Sequence, residues 1–138
     1  PSSGLEYKNH KVVVDAVNNL SPQYYSRFKI IFTLEGNENK QINELYAMVN
    51  EKSLPIEFIG QISIYEVYDY YTKSVLIFPS YIETFGLPML EAKLHRSPVI
   101  ASDCAFSREI LDGYEKAEFF NPFDFDNLQN ILLRYIKG

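Results

Sequence analysis

Apolar residues recur along this chain in two alternating rhythms, one helical and one strand-like. Across residues 9–20, Val12, Val13, Ala16, Val17 and Leu20 fall at helical spacing, and Ser21-Pro22 ends the pattern. Residues 28–34 form a short apolar, β-branched run closed by Gly36 and Asn37, which predicts a buried strand. Helical spacing returns over 41–52, with Ile42, Leu45, Tyr46 and Val49 on one face. A second strand is expected at 56–59, ended by Gly60. Ser63 can then cap a helix through Tyr71, with Ile64, Val67, Tyr68 and Tyr71 facing inward. A third strand covers 75–78 before Pro79, followed by a helix over 87–95 and a fourth strand over 98–101. A brief fifth strand at 118–120 precedes an amphipathic helix over 126–136, built on Leu128, Ile131, Leu132 and Tyr135.

Strands rich in Val, Ile and Phe, each separated from the next by a helix, imply βαβ units and a parallel sheet covered on both faces. Right-handed crossovers make this an α/β fold with a doubly wound parallel sheet. Such sheets bind ligands beyond the carboxyl ends of their strands. The loops to inspect therefore follow Leu34, Ile59, Phe78 and Ala101. No internal repeat, low-complexity stretch or linker interrupts the pattern.

Composition narrows the classes of function. With 138 residues, 46% hydrophobic and 22% charged, the chain suits one globular domain with a single core. A net charge of −5 argues against a nucleic-acid-binding surface, which needs clustered Lys and Arg. No apolar run approaches the roughly 20 residues of a membrane span, and no signal-peptide pattern opens the chain. The lone Cys104 cannot form an internal disulfide, which fits a reducing cytoplasmic setting. It reads as a small, partly buried side chain, since neither His10 nor His95 lies near it in sequence. The 11 tyrosines fall mostly at helix positions facing inward and read as packing, not as a stacking platform for carbohydrate. The chain opens at Pro1 without a methionine, so an upstream segment is expected.

The most informative segment covers residues 79–92, running from a strand end into a helix. Gly86, lacking a Cβ, lets a ligand approach the backbone closely. Pro88 suits a first helical turn, where its missing N–H costs nothing. The amides of Phe85, Gly86 and Leu87 are then left without helical partners, and a diphosphate can dock on them. Glu91 is expected in the first turn and Glu83 just ahead of it, so both carboxylates can face one cleft. Carboxylates suit sugar hydroxyls because each oxygen accepts a charge-assisted hydrogen bond. On physical grounds alone the two acids serve equally well as a favourable helix-start charge and a solvated loop charge.

Sequence resemblance separates these readings. Pro79-Ser80, then Glu83-Thr84-Phe85-Gly86-Leu87-Pro88-Met89-Leu90-Glu91-Ala92, resembles the E-x7-E signature of glycosyltransferase family 4. The likeness continues through Pro98-Val-Ile-Ala-Ser-Asp103, Arg108-Glu-Ile and Phe120-Asn-Pro-Phe-Asp124, and it covers the whole chain. It implies the C-terminal, donor-binding domain of a retaining GT-B glycosyltransferase, a Rossmann-like half of a two-domain enzyme. Glu83 would contact donor-sugar hydroxyls and Glu91 the nucleotide ribose. The amides of Phe85, Gly86 and Leu87 would meet the diphosphate, with Ser80 and Thr84 lining the pocket.

At the amino-terminal edge, Lys8 at a helix start is placed to reach phosphate, although a solvated lysine satisfies the same pattern. The resemblance, through Pro1-Ser2 and Lys8-Asn9-His10, implies diphosphate contact by Lys8. His10 and Lys11 read as surface residues. Ser2 stands where most members carry an arginine, leaving the diphosphate one cation fewer. The family's first strand should immediately precede Pro1 and occupy the centre of the sheet. Residues 1–138 are thus expected to form a single domain lacking that strand, with an unpaired slot between the strands around Ile31 and Ile77. The acceptor-binding N-terminal domain is likewise expected elsewhere in a longer protein.

Gln61 and Ile62, after the second strand, resemble the segment beside the nucleotide base. Gly36 fits a close ligand approach or a plain tight turn. Glu109 is assigned a structural role and Asp103 a turn. The resemblance implies transfer of a hexose from a nucleoside-diphosphate sugar to a saccharide or lipid-linked acceptor, as in polysaccharide biosynthesis. No metal or other cofactor is implied, and the full-length enzyme is expected in the cytoplasm or peripheral to a membrane. The fragment alone should be inactive. Two rival readings are a nucleotide-sugar 2-epimerase, which lacks this spacing of Glu83, Gly86 and Glu91, and a non-catalytic α/β ligand-binding module.

Overall fold

The computed structural model of the chain describes residues 8–82 and 86–138. Helices and strands alternate as α1 (His10–Asn18), β1 (Ile30–Phe32), α2 (Lys40–Glu51), β2 (Ile56–Phe58), α3 (Ile64–Lys73) and β3 (Leu76–Phe78). They continue as α4 (Leu87–Leu94), β4 (Val99–Ser102), α5 (Ala105–Ile110), β5 (Ala117–Phe120) and α6 (Phe125–Lys137). Two pieces escape the hydrophobic pattern: a 3-10 segment, Pro22–Arg27, and α5. Neither is long enough to display a helical period, and neither has a side-chain cap to announce it.

Every strand pairing is parallel, with Ile30 opposite Ile56, Ile77 opposite Ile100, and Ile100 opposite Glu118. The described strands form two sheets, β1–β2 and β3–β4–β5, where the sequence pattern suggested one. Burial follows pairing. β4, flanked on both sides, is buried throughout, whereas β1 and β3 each show two half-buried residues before a buried one.

Helices cover both faces. On one face α1, α2 and α6 bury Val13, Val17, Ile42, Leu45, Leu128 and Ile131 against Phe32, Ile100 and Phe120. On the other, α3 and α4 bury Val67, Tyr71, Met89 and Ala92 against Phe78, Val99 and Ala101. Successive residues of β4 thus serve opposite cores, as the strand period of two requires. Because Ile77 and Ile100 share the first core with β1 and β2, apolar packing joins the two sheets where backbone bonds do not.

Three side-chain placements differ from expectation. His10 is buried at 5% exposure, its ring edge-on to Phe32 at 5.1 Å, and not on the surface. Ile64 is exposed, because it opens α3 before the helix reaches the core. Of the described tyrosines only Tyr71 and Tyr114 are buried. The other described tyrosines are half-buried or exposed, Tyr65 fully outside the core, so packing explains fewer of them than expected.

Candidate functional site

Beyond the carboxyl end of β3 the chain enters α4 through Gly86, which takes the left-handed conformation (φ 60, ψ 36) and offers no side-chain cap. Pro88 follows within the first turn, as its fixed φ favours. Pro88 has no N–H and the Met89 amide donates to the Gly86 carbonyl at 3.1 Å, so in the first turn of α4 the Leu87 amide is the N–H that helix geometry leaves without an intrahelical partner, and this end carries positive partial charge. The reason for glycine is more specific than ligand access. A Cβ at Gly86 would lie 2.5 Å from Ile110 Cδ1 and 2.9 Å from Met89 Cε, so protein atoms already occupy that space. Leu87, by contrast, is exposed.

The start of α1 mirrors this arrangement. Asn9, its N-cap residue, is also left-handed (φ 66, ψ 39), and its side chain caps nothing. That side chain reaches out instead: Nδ2 donates to the Pro79 carbonyl at 3.0 Å and to the Pro122 carbonyl at 2.8 Å. Lys8, half-buried, is thereby brought beside the loop that leads to α4. Ser80, in that loop, is buried and donates its hydroxyl to the Ile82 carbonyl at 3.0 Å, which shapes the turn. Burial drives the His10 pKa down to about 4; Glu38 opposes the shift and Lys8 adds to it. His10 Nδ1 has no hydrogen-bond partner among the described residues.

Glu91 is the fifth residue of α4, one turn deeper than the sequence suggested. Its carboxylate accepts from the Tyr71 hydroxyl at 3.3 Å, while its backbone carbonyl meets His95 Nδ1 at 2.8 Å. The His95 ring lies between Tyr68 and Tyr71, 5.0 and 5.6 Å from their centroids. Burial, then the neighbouring Glu91, push the Tyr71 hydroxyl well above its ordinary pKa. The phenol therefore stays protonated and able to donate.

Gln61 is exposed and Ile62 half-buried, between β2 and the capping box that opens α3. Gly36 (φ 106) sits beneath the Tyr46 ring, which a Cβ would strike; of its two readings, the structure gives the turn. Asp103 forms a fork with Arg108 at 2.8 and 3.0 Å, which holds its carboxyl below the usual range. Cys104 is partly buried, and burial followed by Asp103 pushes its thiol up, away from nucleophilic use. Ser2, Glu83, Thr84 and Phe85 lie outside the described residues. Among the described residues no group of His, Cys, Asp or Glu is arranged to hold a metal ion, and no helix is long and apolar enough to cross a membrane.

The structure thus brings Lys8, Ser80, Gly86 and Leu87 to the carboxyl side of the strands and turns Glu91 toward α3. Two surface depressions of about 400 and 490 Å³ lie elsewhere, around residues 111–116 and beside Arg134 and Tyr135. Neither is lined by any candidate residue, and depth alone is a poor guide here. Sequence reading missed Asn9 and Tyr71 as site-shaping residues. Asn before an apolar helical run was a signal for the first, since Asn tolerates left-handed backbone; nothing local marked the second.

Comparison with known proteins identifies the fold and the family. The O-antigen chain mannosyltransferase RfbU of Salmonella typhimurium is 33% identical over 78 residues, covering 56% of this chain and 22% of that protein. Probable sucrose-phosphate synthase 2 of Craterostigma plantagineum is 34% identical over 66 residues, 48% of this chain and 6% of its own length. Among solved structures, Anabaena HepE in complex with UDP superposes with a TM-score of 0.80 at 21% identity, covering 99% of this chain and 37% of that one. Sucrose-phosphate synthase from Thermosynechococcus elongatus gives 0.75 at 23% identity, over 97% and 34%. The fold is that of the GT-B glycosyltransferases, and the chain spans little more than a third of these relatives at most. Residues 2–138 match the family described as glycosyl transferases group 1, and the chain belongs to that family.

Proposed function

We propose that this chain is the donor-binding half of a retaining family 4 glycosyltransferase that transfers a hexose from a nucleoside-diphosphate sugar. The observation that carries this reading is the pairing of two uncapped, left-handed helix starts, at Asn9 and Gly86, joined through the Pro79 loop. Lys8 and the amino end of α4, through the Leu87 amide and the helix dipole, supply the positive charge that a diphosphate needs. Glu91 would hold the ribose, with Tyr71 orienting its carboxylate. Glu83 would bind sugar hydroxyls, Ser2, Ser80, Thr84 and Phe85 would complete the pocket, and Gln61 and Ile62 would lie beside the base. The UDP-bound relative with the same fold supports a nucleotide in this crevice.

In the transfer, the departing nucleotide's phosphate oxygen takes the proton of the acceptor hydroxyl on the same face. Lys8 and the α4 amides stabilise the negative charge that develops on the leaving group. The acceptor, a saccharide or a lipid-linked one, belongs to a separate N-terminal domain, so residues 1–138 bind donor without turnover. The full-length enzyme would work in the cytoplasm or at a membrane periphery, in polysaccharide biosynthesis. A further strand, supplied by the longer protein, would join the β1–β2 and β3–β4–β5 sheets, which have no backbone pairing with each other among the described residues.

Calorimetric titration with uridine, guanosine and adenosine diphosphates tests the donor site. One of the three should bind, and no binding to any in a folded sample overturns the reading. Adding the upstream segment should raise the melting temperature; an equal value would remove the strand from the proposal.

A further inference from the structure

The Asn9 side chain holds three loops at one point. Its Nδ2 carries two hydrogens, and both are used, one on the Pro79 carbonyl after β3 and one on the Pro122 carbonyl after β5. The Pro79 carbonyl accepts a second bond from Ser102 Oγ, at the end of β4, at 2.6 Å. Pro122 sits in a rigid turn: Asn121 Oδ1 accepts from the Phe123 amide at 2.9 Å, and the Asn121 amide donates to Asn127 Oδ1 at 2.8 Å. Both groups facing Asn9 are acceptors, so its amide orientation is fixed and an acid could not replace it. Asparagine also suits the left-handed backbone at φ 66.

From this geometry we infer that Asn9 is a positioning residue for the donor diphosphate. It sets the spacing between Lys8, the preceding residue, and the loop that carries the chain to the start of α4. The inference rests on the donor-binding reading above and assigns within it a residue that touches protein only. A donor whose diphosphate must meet both helix starts at once depends on that spacing. A ligand anchored mainly by base and ribose does not.

Two substitutions in the intact protein test the role. Asn9→Gly keeps the left-handed backbone and removes both hydrogen bonds; Asn9→Asp keeps the shape and removes both donors. Each is titrated with the nucleoside diphosphate that the parent binds and with the monophosphate of the same base. Diphosphate binding should weaken about tenfold, the scale of one charge-assisted phosphate contact, while monophosphate binding changes less than about threefold. Ser102→Ala, which frees the same carbonyl from β4 but leaves α1 attached, should retain the preference for diphosphate. Equal losses for both nucleotides, unchanged binding with only a lower melting temperature, or an unfolded Asn9→Gly protein would each overturn the positioning role. Loss of the preference in Ser102→Ala would overturn the assignment to Asn9. If the parent binds neither nucleotide, the donor-binding reading itself fails and takes this inference with it.

Discussion

Among the described residues, five of the six helices start in one of two ways, and the difference follows the boundary between scaffold and proposed site. α2, α3 and α6 begin behind extended residues whose side chains accept from first-turn amides: Asn39 from Ile42, Ser63 from Glu66, and Asp124 from Asp126 and Asn127. α1 and α4 begin behind left-handed residues with no side-chain cap. Capping stabilises a helix end by about 1 kcal/mol, so forgoing it has a cost. Both left-handed starts adjoin the loop that opens at Pro79, where the proposed donor site calls for positive charge. The left-handed pair also differ from each other. Gly86 has space for no side chain, whereas Asn9 uses its side chain as a strut.

The largest expected effect would set α1 apart from α4 by pH. In the folded chain His10 stays neutral down to about pH 4, whereas the unfolded chain protonates it near 6.5. Between these values the unfolded state binds more protons, so stability falls as pH drops through the window. The loss should reach about 3 kcal/mol by pH 4, as an order of magnitude. Urea unfolding of the parent and of His10→Leu at pH 7 and pH 4 measures it; an equal acid loss in both would clear His10 of responsibility.

Next in size is Gly86→Ala. Left-handed backbone costs alanine about 1–2 kcal/mol, and displacement of Ile110 and Met89 raises the total to about 2–3 kcal/mol. A shift in the urea midpoint below about 0.5 kcal/mol would mean the helix start relaxes freely. Smallest is Asn39→Ala, which removes a scaffold cap. It should cost about 1 kcal/mol and leave nucleotide affinity unchanged. A loss of affinity there would blur the division between capped and uncapped ends.

Much of this architecture was legible in the sequence, because burial on one face imposes a period. The apolar stripe of α1 and the strands before Gly60 and Pro79 needed no tertiary knowledge. What escaped was set by distant partners. His10 follows two polar residues and looks wet, yet Phe32 covers it. Ile64 continues a stripe whose first turn lies beyond the core. α5 is six residues long, too short for a period to emerge. At the site, Gly86 and Pro88 announced a helix start in the right place, but the reason for glycine lay in Ile110, far along the chain. Glu91 showed its spacing but not its partner, since Tyr71 belongs to another helix.

The bond from Asn9 to Pro122 spans 113 positions, nearly the whole of residues 1–138. Contacts that close so long a loop pay a large entropy before they gain anything, and they form late. As the ribosome releases this domain amino end first, Asn9 can meet the Pro79 carbonyl once that loop has followed but gains its second bond only after the turn at Pro122. The proposed donor site is therefore fully braced only when translation of the domain is nearly finished, and truncation before that turn would leave Asn9 with its Pro79 bond alone.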